Sequence, residues 1–129
     1  SNIKLVPSVQ ADIPPVTGDF NQLQQCIINL IFNAIDAMPS GGTLFLEASC
    51  EATAEQVQIR VRDTGSGIPN EDQPHIFEPF FTTKKEGYGV GLGLSTVFGI
   101  IERHKGSVSV ESQNGQGATF IIHLPVLKE

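Results

Sequence analysis

An amphipathic helical pattern covers residues 19–38 and carries two asparagines within its apolar stretch. The apolar side chains recur at helical spacing and form one stripe, made of Leu23, Ile27, Leu30, Ile31, Ala34 and Met38. Asn29 and Asn33 are four residues apart, so they share another face of the same helix. Because buried carboxamides require hydrogen-bond partners, this face either caps a neighbouring loop or lines a polar pocket.

Alternation and turn residues predict the remaining elements. Strand patterns occupy residues 3–6, 43–49, 56–63, 107–112 and 118–124. Further helical patterns cover about residues 71–77 and 92–104, and the core face of the second consists of Leu94, Val97, Phe98 and Ile101. Asp19 is the predicted N-cap of the first helix. Gly106 is the predicted C′ residue of the helix over 92–104. These elements predict an α+β fold, a two-layer α/β sandwich. In it, about five strands form a mixed, mostly antiparallel sheet covered on one face by three helices.

Composition limits the partners and the compartment. The length of 129 residues fits a single domain covering residues 1–129. A formal net charge of -6 makes nucleic acid an unsuitable partner, because the surface repels phosphate backbones. No apolar run reaches the roughly 18 residues of a membrane span, so we expect no direct membrane contact. The two cysteines match no metal-binding spacing, and we expect a reduced, cytoplasmic compartment.

A carboxylate followed by glycines ends the third predicted strand. Asp63 precedes Gly65 and Gly67, which allow a flat ligand to approach the backbone closely. A carboxylate only accepts hydrogen bonds, so it suits the exocyclic amine of adenine and repels the corresponding oxygen of guanine. The alternative is an Asx turn with no ligand.

A second glycine-rich stretch, residues 87–94, opens the predicted helix over 92–104. Free backbone N–H groups and the helix dipole at such a position favour phosphate. The spacing matches neither the P-loop nor the dinucleotide-binding glycine pattern. A flexible hinge is the alternative interpretation.

The segment between the two glycine clusters has the composition of a lid. Three phenylalanines lie within residues 77–81, beside the glycine stretch, and suggest an apolar anchor. Thr82, Thr83, Lys84 and Lys85 follow and are able to reach phosphate oxygens. The alternative is a pair of solvated lysines on a loop.

Taken in order, these segments closely resemble the catalytic ATP-binding domain of sensor histidine kinases. That domain belongs to the gyrase, Hsp90, histidine kinase and MutL ATPase superfamily, which has the Bergerat-type fold. Residues 29–34 are similar to its N box, 63–67 to the G1 box, 77–80 to the F box, 89–95 to the G2 box and 115–120 to the final glycine motif. The resemblance covers nearly all of the chain. Each motif alone is weak evidence for the family, but five motifs in this order are strong evidence. It implies a domain excised from a longer kinase, without the dimerisation and phosphoacceptor domain.

The resemblance implies a nucleotide site at the matching positions. Three residues are implied in catalysis: Asn33 as the Mg²⁺ ligand, Asn29 toward the phosphates, and Lys84 near the γ-phosphate. Phe77 and Phe80 are implied as lid anchors. The implied ATP-binding set is Asn33, Asp36, Ala37, Asp63, Gly65, Gly67, Ile68, Thr82, Thr83, Lys84, Tyr88, Gly89, Val90, Gly91, Leu92, Gly93, Leu94 and Thr119.

The resemblance also implies the activity. Such a domain binds ATP with Mg²⁺ and donates the γ-phosphate to a histidine on the dimerisation domain of the same kinase, and a response regulator receives it indirectly. The hydrolysing members carry a water-activating glutamate at the position of Asn29; an asparagine cannot act as that base. His75, His104 and His123 do not match the phosphoacceptor, so the isolated chain is expected to bind ATP without phosphorylating itself. The alternatives are an anti-sigma-factor-type serine kinase on the same fold and a non-catalytic nucleotide-binding or docking domain.

Overall fold

The computed structural model describes residues 2–50, 55–79, 81, 93–113 and 115–127. Its elements in chain order are β1 (Ile3–Val9), α1 (Phe20–Asp36), β2 (Gly42–Ser49), β3 (Gln56–Asp63), a 3-10 turn (Gln73–His75), α2 (Gly93–Arg103), β4 (Ser107–Ser112) and β5 (Ala118–Pro125). The strands form one sheet in the order β1-β2-β3-β5-β4. β1 pairs with β2 in parallel and the other neighbours pair antiparallel, which confirms the predicted mixed, mostly antiparallel sheet.

Both α-helices pack on one face of this sheet and give the two layers of the predicted α+β sandwich. The sheet contributes buried Leu44, Val57, Val61, Phe120, Ile122 and Leu124; the helices and the turn after α1 contribute Cys26, Leu30, Ala34, Met38, Val97, Ile100 and Ile101. Strand alternation places polar side chains on the opposite face. There the Arg60 guanidinium lies 3.6 Å from Glu47 and 3.8 Å from Glu111.

α1 begins where the sequence predicts. Asp19 has extended backbone, and its Oδ1 accepts a hydrogen bond from the N–H of Gln22 at 3.0 Å, as an N-cap does. The N–H of Asp19 donates to His104 Nε2 at 3.0 Å, while His104 Nδ1 lies 2.8 Å from the carbonyl oxygen of Ile100. Nε2 therefore acts as the acceptor and Nδ1 as the donor of a neutral imidazole. This side chain fastens the start of α1 to the end of α2.

Packing changes two local predictions. In place of a helix over residues 71–77 there is only the 3-10 turn, so two α-helices cover the sheet within the described residues. Ile76 and Phe77 are the apolar side chains that this segment packs against the core, too few for a helical stripe. In α2, the core face includes Ile100 in place of the predicted Phe98. Phe98 is 41% exposed, and its ring centroid lies 5.8 Å from that of Phe77.

The end of α2 is displaced by one residue from the prediction. Lys105, not Gly106, adopts the left-handed conformation with φ of 61°. The N–H of Gly106 bonds to the carbonyl of Ile101 and the N–H of Lys105 to that of Glu102, each at 3.0 Å, which is a Schellman motif. Gly106 is required for a different reason, because a Cβ there would lie 2.2 Å from the carbonyl oxygen of His123.

β1 continues to Val9, beyond the predicted residues 3–6. It is an edge strand, and an edge strand accepts Pro7 because one of its sides has no ladder hydrogen bonds to make. Neither α-helix among the described residues combines the length and the apolar character needed to cross a membrane.

Candidate functional site

One face of α1 contacts both the start of α2 and the loop after β3. Asn29, Asn33 and Ala37 follow one another about one helical turn apart. At one end, Asn29 Nδ2 donates a hydrogen bond to the carbonyl of Gly93, the first residue of α2, at 3.3 Å. At the other end, the carbonyl of Ala37 accepts a hydrogen bond from the N–H of Ser66 at 3.3 Å. Asn33 lies between these two contacts along α1.

The amide of Asn29 has a defined orientation. Its Oδ1 accepts a hydrogen bond from Gln25 Nε2 at 2.7 Å, so its NH2 group points to Gly93. Asp36, seven residues after Asn29, lies exposed on this same face in the last turn of α1. The face is therefore polar along its length, as the sequence predicts.

Asp63 is a buried carboxylate at the end of β3, with 3% of its surface exposed. Its Oδ1 accepts hydrogen bonds from the N–H of Gly65 at 2.8 Å and from the N–H of Ala118 at 3.3 Å. Burial raises the pKa of Asp63 above its ordinary value, because the charged form loses hydration, and the two N–H donors offset this in part. The bond from Gly65 is the Asx turn considered above as an alternative, and the bond from Ala118 fixes the carboxylate against β5.

Three glycines allow the backbone around Asp63 to pack closely. A Cβ on Gly65 would lie 2.2 Å from the carbonyl oxygen of Ala37, and a Cβ on Gly67 would lie 2.2 Å from a carbonyl oxygen in the turn between β4 and β5. Gly117 has φ of 84°, and a Cβ there would lie 2.2 Å from the carbonyl oxygen of Asp63. The protein's own backbone therefore requires these glycines, independently of any ligand.

Two side chains that the motifs do not identify hold the loop after β3. Ser112 Oγ, at the end of β4, accepts a hydrogen bond from the N–H of Ile68 at 2.8 Å and donates one to the carbonyl of Gly117 at 2.9 Å. Gln73 Nε2 donates to the carbonyl oxygens of Ile68 at 3.0 Å and Ser112 at 3.2 Å. The sequence carries one signal for Ser112: it occupies an inward position of the alternating β4 pattern, where a polar side chain needs a partner.

Phe77 packs beside the start of α2 and against the sheet. Its ring centroid lies 5.8 Å from that of Phe98 and 6.2 Å from that of Phe120, the latter edge-on. Gly93 is exposed, and Leu94 packs against the core. The other predicted lid and phosphate residues lie outside the described residues; they are Phe80, Thr82, Thr83, Lys84, Tyr88, Gly89, Val90, Gly91 and Leu92.

Thr119 faces away from Asp63. It pairs with Arg62 on β3 and with Glu111 on β4, and directly opposite residues share a face of the sheet. Asp63 follows Arg62 along β3 and therefore points to the other face. Ala118, whose N–H reaches Asp63, occupies the position beside the carboxylate, so we remove Thr119 from the predicted ATP-binding set.

Residues 18–128 match the family described as histidine kinase-, DNA gyrase B- and HSP90-like ATPase. The chain is 44% identical over 131 residues to Sensor kinase CckA of Brucella abortus (strain 2308). It is 40% identical over 126 residues to Sporulation kinase E of Bacillus subtilis (strain 168). These matches cover 92% and 98% of this chain but only 14% and 17% of the relatives.

Solved structures match over nearly the whole chain. The catalytic domain of histidine kinase ThkA (TM1359), in a nucleotide-free form, superposes with a TM-score of 0.83 at 33% identity, over 96% of this chain and 79% of that one. Full-length ShkA in complex with AMPPNP superposes with a TM-score of 0.85 at 31% identity, over 98% of this chain and 26% of that one.

Proposed function

Because this chain belongs to the histidine kinase-, DNA gyrase B- and HSP90-like ATPase family, we propose that it is the ATP-binding catalytic domain of a sensor histidine kinase. It binds ATP with Mg²⁺ and donates the γ-phosphate to a histidine on a separate dimerisation domain. The observation that carries this proposal is the α1 face on which Asn29 contacts the start of α2 and Ala37 contacts the loop after Asp63. These two contacts support one site in which the start of α2 is assigned to phosphate, Asn33 to the metal and Asp63 to adenine.

In the proposed site, Asp63 selects the base. Its Oδ1 holds the N–H groups of Gly65 and Ala118, so we assign Oδ2 to the exocyclic amine of adenine. The carbonyl at the same position of guanine would face an acceptor-only carboxylate and be repelled. Gly67 and Ile68 border this pocket.

The phosphates are assigned to the start of α2. Free N–H groups at a helix N-terminus favour anions, and Gly93 and Leu94 open this helix. Residues outside the described ranges extend the proposed site: Tyr88, Gly89, Val90, Gly91 and Leu92 at the phosphates, Thr82, Thr83 and Lys84 toward the γ-phosphate, and Phe80 as a lid anchor beside Phe77.

Asn33 is the proposed protein ligand for Mg²⁺, with Asp36 and Ala37 beside it on α1. The described residues contain no group of three or more His, Cys, Asp or Glu side chains suited to a metal. One amide oxygen fits Mg²⁺ nevertheless, because this ion takes substrate phosphate oxygens and keeps several waters. When bound, it neutralises charge on the transferred phosphoryl group.

Asn29 favours transfer to a side chain over hydrolysis. Its amide cannot take a proton from water, and its two polar atoms contact Gln25 and Gly93. Phosphoryl transfer depends mainly on positioning and charge neutralisation, which a binding domain supplies without a base of its own.

The proposal places the domain within a longer kinase. Residues 1–129 form the ATP-binding unit, the dimerisation domain supplies the histidine, and a response regulator receives the phosphoryl group from that histidine. We place the domain in the cytoplasm, without direct contact to a membrane or to nucleic acid.

Calorimetry and a transfer assay test the proposal. The chain should bind ADP and ATP in the presence of Mg²⁺, and it should take up no label when incubated alone with γ-labelled ATP. Addition of a phosphoacceptor dimerisation domain from a related kinase should give an acid-labile phosphohistidine. An acid-stable label would favour the serine kinase, and absence of nucleotide binding at millimolar concentration would favour the docking domain.

Replacement of Asn33 by alanine should reduce the magnesium dependence of ATP binding. The lost amide oxygen is one ligand among several, so we expect an effect of a few-fold to about tenfold in the presence of Mg²⁺ and almost none in EDTA. Asn21→Ala is the matched control, since Asn21 is an exposed amide in the first turn of the same helix. Equal losses with and without the metal would remove Asn33 from the metal site.

A further inference from the structure

Ser112 lies at the centre of a chain of hydrogen bonds that ends on the Asp63 carboxylate. The N–H of Ile68 donates to Ser112 Oγ at 2.8 Å, and Ser112 Oγ donates to the carbonyl of Gly117 at 2.9 Å. The peptide group that carries this carbonyl also carries the N–H of Ala118, which donates to Asp63 Oδ1 at 3.3 Å. The three bonds run in one direction, from the loop after β3, through one hydroxyl and one peptide group, to the carboxylate.

The chemistry of the hydroxyl makes this arrangement specific. A serine hydroxyl has a single hydrogen to donate and lone pairs with which to accept, and here the backbone uses both functions. Aligned hydrogen bonds in a weakly polar interior polarise one another. Donation from Ser112 therefore strengthens the N–H of Ala118 as a donor to Asp63.

Gln73 adds a second link between the same segments. Its Nε2 donates to the carbonyl oxygens of Ile68 at 3.0 Å and Ser112 at 3.2 Å. Both backbone polar groups of Ile68 are thus tied to Ser112, one directly and one through Gln73. The end of β4 therefore fixes the loop after β3 as well as the turn that leads into β5.

We propose that Ser112 is the positioning residue for the Asp63 carboxylate, and so a determinant of selectivity for adenine. The inference rests on the proposed function, because it takes Asp63 as the acceptor for the adenine amine. Ser112 acts through the Gly117–Ala118 peptide group, which holds Oδ1 and leaves Oδ2 directed at the base. It also fixes the separation of Ile68 from Gly117.

Three variants separate positioning from a purely structural role. Ser112→Ala removes the hydroxyl, Ser112→Thr keeps it in a residue that favours strands, and Ser109→Ala removes an exposed hydroxyl on the other face of the same strand. Calorimetry with the Mg²⁺ complexes of ADP and IDP is the measurement, since inosine replaces the adenine amine with a carbonyl. Ser112→Ala should weaken ADP binding about tenfold and IDP binding far less. Ser112→Thr and Ser109→Ala should keep the parental preference for ADP.

A purely structural hydroxyl would give other results. The proposal would be overturned if Ser112→Ala left the ratio of ADP affinity to IDP affinity unchanged. It would also be overturned if Ser112→Thr lost as much ADP affinity as Ser112→Ala. If the parental chain binds neither nucleotide, the proposed function fails, and the hydrogen-bond chain is still tested in the nucleotide-free protein. There, Ser112→Ala should speed hydrogen exchange and shift the amide resonance of Ala118, and unchanged values would overturn the positioning role.

Discussion

Replacing Asp63 by asparagine should abolish most adenine-nucleotide binding while leaving the domain folded. The substitution keeps Oδ1 as the acceptor for the N–H groups of Gly65 and Ala118, but turns Oδ2, the proposed acceptor for the adenine amine, into an NH2 group that cannot accept. A charge-assisted hydrogen bond contributes roughly 1.5–3 kcal/mol, so affinity should fall about 10- to 100-fold. Calorimetric titration with Mg-ADP measures this loss.

The same substitution should raise the stability of the domain at neutral pH. Because the pKa of Asp63 is raised by burial above 3.8, the folded state holds its proton more tightly than the unfolded state. Asp63 therefore contributes most stability below that ordinary pKa, and the contribution is lost as pH rises through the raised pKa. Asparagine removes the buried charge and this dependence. Thermal denaturation of both proteins between acidic and neutral pH measures the difference.

Glu47→Gln is the matched control for Asp63→Asn. It removes the same unit of charge from the opposite face of the sheet, where Glu47 lies 3.6 Å from Arg60. We expect parental ADP affinity in this variant. Parental affinity in Asp63→Asn would mean that the adenine pocket is not at Asp63.

Replacing Gly117 by alanine should be the most destabilising single change at the site. Gly117 has φ of 84°, and a Cβ there would lie 2.2 Å from the carbonyl oxygen of Asp63. A backbone oxygen cannot rotate away as a flexible side chain does, so β3 and the start of β5 must separate. The strain of an alanine in the left-handed backbone conformation and the displacement of the two strands together should lower the free energy of unfolding by about 3–5 kcal/mol. Urea denaturation measures this loss.

Gly115 provides the comparison for Gly117. Its φ of 85° is nearly the same, but a Cβ there would have no heavy atom of the described residues within 4 Å. Gly115→Ala should therefore cost only the left-handed strain, about 1–2 kcal/mol. If the two variants lose equal stability, backbone contact at Asp63 is not what requires Gly117. In Gly117→Ala, residual folded protein should also bind ADP more weakly, because Ala118 and Asp63 no longer meet.

Local patterns were sufficient for most of the architecture. The stripe from Leu23 to Ala34, the N-cap at Asp19 and the alternation of β3 each follow from interactions within a few residues, and the structure confirms them. The helix ends at Asp36, earlier than predicted, and Met38 packs against the core from the turn beyond it. The third helix and the burial of Phe98 were wrong in detail, since both depend on which surfaces the rest of the fold leaves to be covered.

Some candidate site residues could also be identified from the sequence. Asp63 before two glycines and the Asn29–Asn33 pair are unusual enough to be identified without a structure. Thr119 was misplaced by the motif, because strand register decides which of two neighbouring residues faces the carboxylate. Ser112 and Gln73 were missed. The inward position of Ser112 in β4 signals that its hydroxyl needs a partner, but the local sequence does not identify the partners of either side chain.

Pattern and motif in the chain were enough to identify the family, the five strands and the two α-helices in their order, and the residues proposed for a purine, a phosphate and a metal. Three further facts required the folded structure: α1 contacts Gly93 and the loop after Asp63, Ala118 rather than Thr119 lies beside Asp63, and Ser112 links Ile68 to Gly117. The two groups of features differ in how far apart along the chain the interacting residues lie. Helix periodicity, capping and alternation arise between neighbours in the chain, whereas hydrogen bonds between residues 44 and 55 positions apart exist only after the sheet has set its register.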